Sequence, residues 1–145
     1  MIVGVGNLYR GDDAVGILVA RYFRRFFNHD VRIIDVDITF EDLISEWKNF
    51  DLVILIDAVK SGDEAGKIYR FEYGVDKVPA FLGFYSTHSF GVMEYVEIAR
   101  TLGTLPGKLI IYGVVGKNFN IGDSISHRVK LACRKLVGLV LEDLK

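Results

Sequence analysis

Three side chains of metal-binding type stand where strands of this chain are expected to end. Asp13 lies in a glycine-rich segment, Asp57 follows the apolar run 52–56, and His88 lies in loop 86–91. In an open α/β sheet, ligands bind just beyond the carboxyl ends of the strands, so residues distant in sequence can meet there. Two carboxylates and an imidazole can hold a divalent metal and leave positions for water or substrate. The sequence therefore predicts a candidate metal site.

Each of these side chains also has an ordinary structural interpretation. Asp12 is expected to be the N-cap of the first helix, and Asp13 can serve the same helix end instead of facing a cleft. Asp57 can form an Asx turn into Ala58, although a carboxylate after a buried strand needs either backbone donors or a site. His88 taken alone is typical of a hydrogen-bonded or surface histidine, and a neutral imidazole there is also a good ligand.

The opening Gly4-Val5-Gly6 invites comparison with the dinucleotide-binding pattern G-x-G-x-x-G. The third glycine is replaced by Tyr9, and two aspartates stand where a pyrophosphate would need the helix N-terminus. A nucleotide- or flavin-binding module therefore rests on fold analogy alone, which is a weak argument for function. The chain also has no H-E-x-x-H, paired C-x-x-C or G-x-S-x-G pattern, which leaves the usual zincin and α/β-hydrolase assignments unsupported.

Short apolar runs alternate with amphipathic segments, a pattern that predicts βαβ units and a mostly parallel sheet. A further segment, 67–73, alternates polar and apolar residues and is expected to be an edge strand, perhaps antiparallel. The predicted strands are 1–5, 31–36, 52–57 and 108–115. The predicted helices run from Asp12 or Asp13 to about Phe27, over 41–48, over 91–102 and over 126–143, with Ser126 as the last cap.

Composition limits the remaining possibilities. A chain of 145 residues with 50% hydrophobic residues predicts one domain, 1–145, with one core. The formal net charge of -1 implies no global attraction to nucleic acid or acidic membrane. The single cysteine, Cys133, cannot form an internal disulfide and is expected at a buried helix position. His29 and His127 are expected to be structural. No apolar stretch is long enough to span a bilayer, and we expect a soluble cytoplasmic protein.

Taken together, the motifs resemble those of the hydrogenase maturation endopeptidases, the proteases that finish the large subunit of nickel-iron hydrogenases. The specific part is the block G-x-G-N-x-x-x-x-D-[DE]-x-x-G, which runs from Gly4 to Gly16. The contexts of Asp57 and His88 are shorter and gain weight from their order. Many relatives carry Glu at the position of Asp13, and many open the last helix with Ser-Pro. The resemblance covers nearly the whole chain.

The resemblance implies an α/β fold with a single three-layer domain, in which helices cover both faces of a mostly parallel twisted sheet. It also implies a cytoplasmic endopeptidase that removes a C-terminal extension from the hydrogenase large-subunit precursor once nickel is inserted. The family's metal-contacting residues correspond to Asp13, Asp57 and His88, with nickel carried by the precursor. Asp13 or Asp57 is then the candidate general base, or nickel only aligns the substrate. The alternative function is a non-catalytic nickel-binding chaperone; the oligomeric state stays open.

An aromatic cluster in the loop before the third helix has two interpretations. It can form a docking surface or pack onto the core of its own chain. The cluster consists of Phe81, Phe84, Tyr85 and Phe90.

Overall fold

The computed structural model describes residues 1–27, 30–36, 41–80, 82–84 and 91–145. The strands are β1 (Ile2–Val5), β2 (Ile33–Val36), β3 (Leu52–Lys60), β4 (Ile68–Glu72), β5 (Gly83–Phe84) and β6 (Lys108–Val115). The helices are α1 (Val15–Phe26), α2 (Glu41–Glu46), α3 (Val92–Leu102) and α4 (His127–Asp143), with 3₁₀ turns at Gly11–Ala14 and Trp47–Asn49. Within the described residues, none of the helices has the length and apolarity needed to cross a bilayer.

The strands form a sheet in the order β2-β1-β3-β6-β4, and β5 pairs with β3 outside this path. The pairs β1–β2, β1–β3 and β3–β6 are parallel. Strand β4 lies at the edge and is antiparallel to β6, as its alternating sequence predicted. Strand β3 continues three residues beyond the predicted segment 52–57, and the two-residue strand β5 was not predicted. The mostly parallel sheet is thus confirmed.

Helices cover both faces of the sheet, which confirms the predicted three-layer α/β architecture. Helices α1 and α4 pack on one face through apolar side chains that include Val19, Phe23 and Leu136. Helices α2 and α3 pack on the other face, where Trp47 and Val96 are fully buried. Alternate strand residues point to opposite faces, so β3 and β6 supply apolar side chains to both layers.

The two helical layers carry opposite charge. Helices α1 and α4 contain seven Lys and Arg residues and two acidic residues. Helices α2 and α3 contain five acidic residues and one arginine. The net charge of -1 therefore conceals a separation of charge across the sheet.

Cys133 lies in helix α4 as predicted, where it is half-buried against the α1–α4 core. Burial raises the pKa of its thiol to about 11. His127 is the exposed first residue of α4.

Candidate functional site

The candidate site lies where the order of the strands reverses. The pairing of β1 with β3 ends at Gly4 and Ile56, and Asp57 is the next residue of β3. Two residues further along, Val59 pairs with Phe84 of β5 on this same edge of β3, because its other edge is occupied by β6. Asp57 therefore lies in a gap between the end of one partner strand and the start of the next. Open α/β sheets bind ligands at such switch points.

Asp57 is part of strand β3, so neither a strand end nor an Asx turn describes it correctly. The strand continues to Lys60. One carboxylate oxygen, Oδ1, accepts a hydrogen bond of 2.8 Å from the backbone N–H of Ala58. Among the described residues the other oxygen, Oδ2, is buried without a hydrogen-bond partner. A carboxylate that is 1% exposed and half-satisfied is costly, which indicates a functional position.

Asp13 lies in the 3₁₀ turn that precedes α1 and is 2% exposed. Its backbone N–H donates to the carbonyl of Arg10 at 3.1 Å, and its own carbonyl accepts from the N–H of Asn7 at 3.3 Å. Its Oδ1 has no hydrogen-bond partner within the part of the chain that the structure describes. The turn thus fixes the backbone of Asp13 while one buried oxygen stays available.

Glycines bring the Asp13 turn close to β3. A Cβ atom added at Gly16 would lie 2.2 Å from the carbonyl oxygen of Ile56 and 2.4 Å from that of Val5, so only glycine lets α1 approach both strands. Gly6 has a φ of +144°, and a Cβ there would lie 1.8 Å from the carbonyl oxygen of Asp13. The close approach places Asp13 beside the end of β1, next to Asp57.

The electrostatics of the two carboxyls show that they share one environment. Burial raises the pKa of Asp13 to about 7, against the lowering effects of the Arg10 guanidinium and a hydrogen bond from the backbone of Asn7. Burial, and after it the charge of Asp13, raise the pKa of Asp57 well above its usual range, while the Ala58 N–H lowers it. Burial and mutual repulsion thus outweigh the Arg10 charge, and the two carboxyls resist simultaneous ionisation.

Asp12 does not cap the first helix, and this prediction was wrong. Its fully buried carboxylate accepts hydrogen bonds from the backbone N–H groups of Lys117 at 2.7 Å, Asn118 at 3.0 Å and Ser126 at 2.6 Å. Ser126 stands before α4 as predicted, but its hydroxyl donates to Asp12 at 3.1 Å and does not cap α4. Asp12 therefore fastens a distant loop to the segment that carries Asp13. Two consecutive aspartates at a helix start gave no sequence signal for this role.

His88 lies outside the described residues, as does His29. So do Phe81, Tyr85, Phe90 and the side chain of Phe84. Among the described residues, no group of three His, Cys, Asp or Glu side chains forms a metal site. The structure thus brings together two of the three predicted ligands, Asp13 and Asp57.

Residues 17–143 match the family model described as hydrogenase maturation protease. The chain belongs to the hydrogenase maturation protease family. This confirms the family that the sequence motifs indicated. Family membership also favours a peptidase over the nucleotide-binding alternative. Asp12 and Asp13 are a second argument against that alternative, because carboxylates repel a phosphate.

Two curated members of the family illustrate the similarity. The chain is 31% identical over 121 residues to the hydrogenase 2 maturation protease of Escherichia coli, covering 79% of this chain and 71% of that protein. It is 28% identical over 147 residues to the hydrogenase expression/formation protein HupD of Thiocapsa roseopersicina, covering 98% of this chain. The chain spans only 66% of the length of HupD.

Solved structures of maturation proteases share the fold. The maturating endopeptidase HybD from E. coli superposes with a TM-score of 0.81 at 22% identity, covering 99% of this chain and 90% of that one. The nickel-iron hydrogenase maturation protease HycI from Thermococcus kodakarensis gives a TM-score of 0.74 at 25% identity, covering 97% of this chain and 88% of that one.

Proposed function

We propose that this protein is the endopeptidase that removes the C-terminal extension of a nickel-iron hydrogenase large-subunit precursor after nickel insertion, and that it recognises the bound nickel. Family membership supports the reaction class. The observation that carries the nickel recognition is the pair of buried carboxyls, Asp13 and Asp57, each with one unpartnered oxygen. The proposal treats residues 1–145 as one protease-like domain that acts on its substrate in the cytoplasm.

The donor set fits a divalent metal that arrives with the precursor. Asp13 Oδ1 and Asp57 Oδ2 are buried acceptors without donors among the described residues, and a cation satisfies such oxygens. His88 is the proposed third contact. It follows Phe84 by four residues, and four residues of extended chain span up to about 14 Å. Because β5 fixes Phe84 next to Val59, the chain length allows His88 to join the site.

Nickel on the precursor would also switch the protonation state of the site. The pKa values of both carboxyls are raised in the free protein, so a proton is retained near neutral pH. A nearby cation favours the ionised forms, and docking of the loaded precursor would release protons. An ionised carboxylate can then serve as the general base for an attacking water, or it can hold the metal while the metal aligns the scissile segment. Asp13 and Asp57 are the candidates for both roles.

The test is cleavage of a purified, nickel-loaded large-subunit precursor, followed by mass spectrometry. We expect the wild-type protein to shorten the precursor at its C-terminus, and Asp57→Asn or His88→Ala to abolish this. The matched controls are Asp51→Asn, an exposed aspartate just before β3, and His127→Ala, an exposed histidine at the start of α4. Both controls should cleave normally.

Two outcomes would contradict the proposal in different ways. Undiminished cleavage by both site variants would reject the assigned residues. A stable complex with an intact precursor would instead support the nickel-binding chaperone, which would use the same carboxyl pair without catalysis.

A further inference from the structure

Two loops at the carboxyl edge of the sheet form one rigid unit, which we call the two-loop platform. It consists of residues 6–12, after β1, and residues 116–126, after β6. Besides the bonds to the Asp12 carboxylate, the Asp12 N–H donates to the carbonyl of Asn118 at 2.8 Å, and the N–H of Gly122 donates to the carbonyl of Tyr9 at 2.9 Å. The loops therefore hold each other at several points along their length.

Glycine allows the loops to pack this closely. Gly11 has a φ of +54°, and a Cβ there would lie 2.5 Å from the carbonyl oxygen of Asn118. On the other loop, a Cβ at Gly116 would lie 2.8 Å from the Cβ of Asp12. Both loops are thus built for contact with each other.

The platform exposes large apolar side chains despite its rigidity. Tyr9 is 76% exposed and Ile121 is 74% exposed, and Leu8 beside them is 37% exposed. Isolated apolar residues on a surface are ordinary, but here the carbonyl of Tyr9 accepts a hydrogen bond from the N–H of Gly122, the residue that follows Ile121. Binding to a fixed platform costs little conformational entropy, and tyrosine is frequent among residues that dominate interface energies.

The platform is continuous with the candidate site. Asp13 follows Tyr9 by four residues, and its backbone bonds to Asn7 and Arg10 belong to the same loop. Four residues of chain span at most about 14 Å, so a polypeptide bound at Asp13 is long enough to reach Tyr9 as well. The occupant that fits is an extended peptide segment with apolar side chains, since the exposed contacts are an aromatic ring and aliphatic groups.

We propose that the two-loop platform binds an apolar segment of the precursor beside the scissile bond, with Tyr9 and Ile121 as the principal contacts. The inference rests on the proposed function and adds to it the surface that selects the substrate. Contacts to nickel distinguish a loaded precursor from an empty one, whereas the platform binds the neighbouring polypeptide. Loss of the platform contacts should weaken substrate binding and leave the chemical step intact.

The experiment compares the double variant Tyr9→Ser/Ile121→Ser with the wild type in precursor cleavage. We expect KM to rise about 10- to 30-fold with kcat nearly unchanged, because two exposed contacts are lost while the carboxyl pair is untouched. The matched control is Val75→Ser. Val75 is 73% exposed and follows β4. Because the end of β4 pairs with the start of β6, Val75 lies near the amino ends of the parallel strands, away from the platform. Its KM should stay at the wild-type value.

The outcomes separate this inference from the proposed function. An unchanged KM in the double variant, or an equal rise in the Val75→Ser control, overturns the platform. Affinity for the same nickel-loaded precursor is measured in parallel. Wild-type binding without cleavage overturns the proposed protease while the affinities of the variants still test the platform. Failure of the wild type to bind the precursor overturns both.

Discussion

Replacing Asp13 by Asn should make the metal-free protein more stable above neutral pH. The wild-type carboxyl is buried with one unpartnered oxygen, so its ionisation in the folded state is unfavourable. An asparagine side chain has nearly the same shape and carries no charge. The substitution also removes the charge that raises the pKa of Asp57, so the second carboxyl is relieved as well.

The magnitude follows from the pKa of Asp13, which rises from 3.8 to about 7 on folding. Each pKa unit corresponds to about 1.4 kcal/mol, so ionising Asp13 costs the folded state on the order of 4 kcal/mol. Because the folded state keeps its proton to a higher pH than the unfolded state, the free energy of unfolding is unaffected below about pH 4. It then falls with rising pH and levels off above about pH 7. The neutral asparagine removes this contribution.

Urea unfolding at pH 5, 6, 7 and 8 in the presence of a chelator measures the effect. The free energy of unfolding of Asp13→Asn minus that of the wild type should increase with pH, by about 2 to 4 kcal/mol between pH 5 and pH 8. Asp51→Asn makes the same chemical change at an exposed position and should run parallel to the wild type. A constant difference between Asp13→Asn and the wild type across this range would refute the reasoning.

Three further predictions concern the same region. Ni²⁺ at a hundredfold excess over Kd should stabilise the wild type by about 2.7 kcal/mol in a thermal-shift assay. It should not stabilise Asp57→Asn, and equal shifts in the two proteins would exclude Asp57 as a ligand. Asp12→Ala should lower the free energy of unfolding by about 3 kcal/mol, because it leaves three backbone N–H donors without their acceptor. Ser126→Ala should cost less, and equal losses in urea titrations would contradict this. Gly16→Ala should cost at least about 2 kcal/mol, since its Cβ would overlap the Ile56 carbonyl, and a neutral result would show that α1 can shift.

The sequence was a good guide to the elements whose patterns reflect burial. The continuous apolar run of β3 predicted a central strand, and the alternation in 67–73 predicted the antiparallel edge strand β4. Helix α4 was predicted to within one residue at its start because its apolar residues recur at helical spacing. These signals are local, so they can be read without knowing the tertiary contacts.

Features that depend on distant contacts were not predictable. The role of Asp12 depends on Lys117, Asn118 and Ser126, which are more than a hundred residues away. Strand β5 has only two residues and exists through its pairing with Val59 and Lys60. For the candidate site, the sequence predicted Asp13 and Asp57 from residue type and position, but their unpartnered oxygens and mutual electrostatic effect appear only in the folded chain.

The opposite charges of the two helical layers contribute an electric dipole component perpendicular to the sheet, which Asp35 offsets in part through its ion pairs with Arg21 and Arg24. A dipole experiences a torque near a charged surface, so the protein is turned before it touches a partner even though its total charge is close to zero. First encounters then occur in a restricted set of orientations. At physiological ionic strength the field decays within about 8 Å, so this alignment should be strongest in dilute buffer and should fade as salt is added.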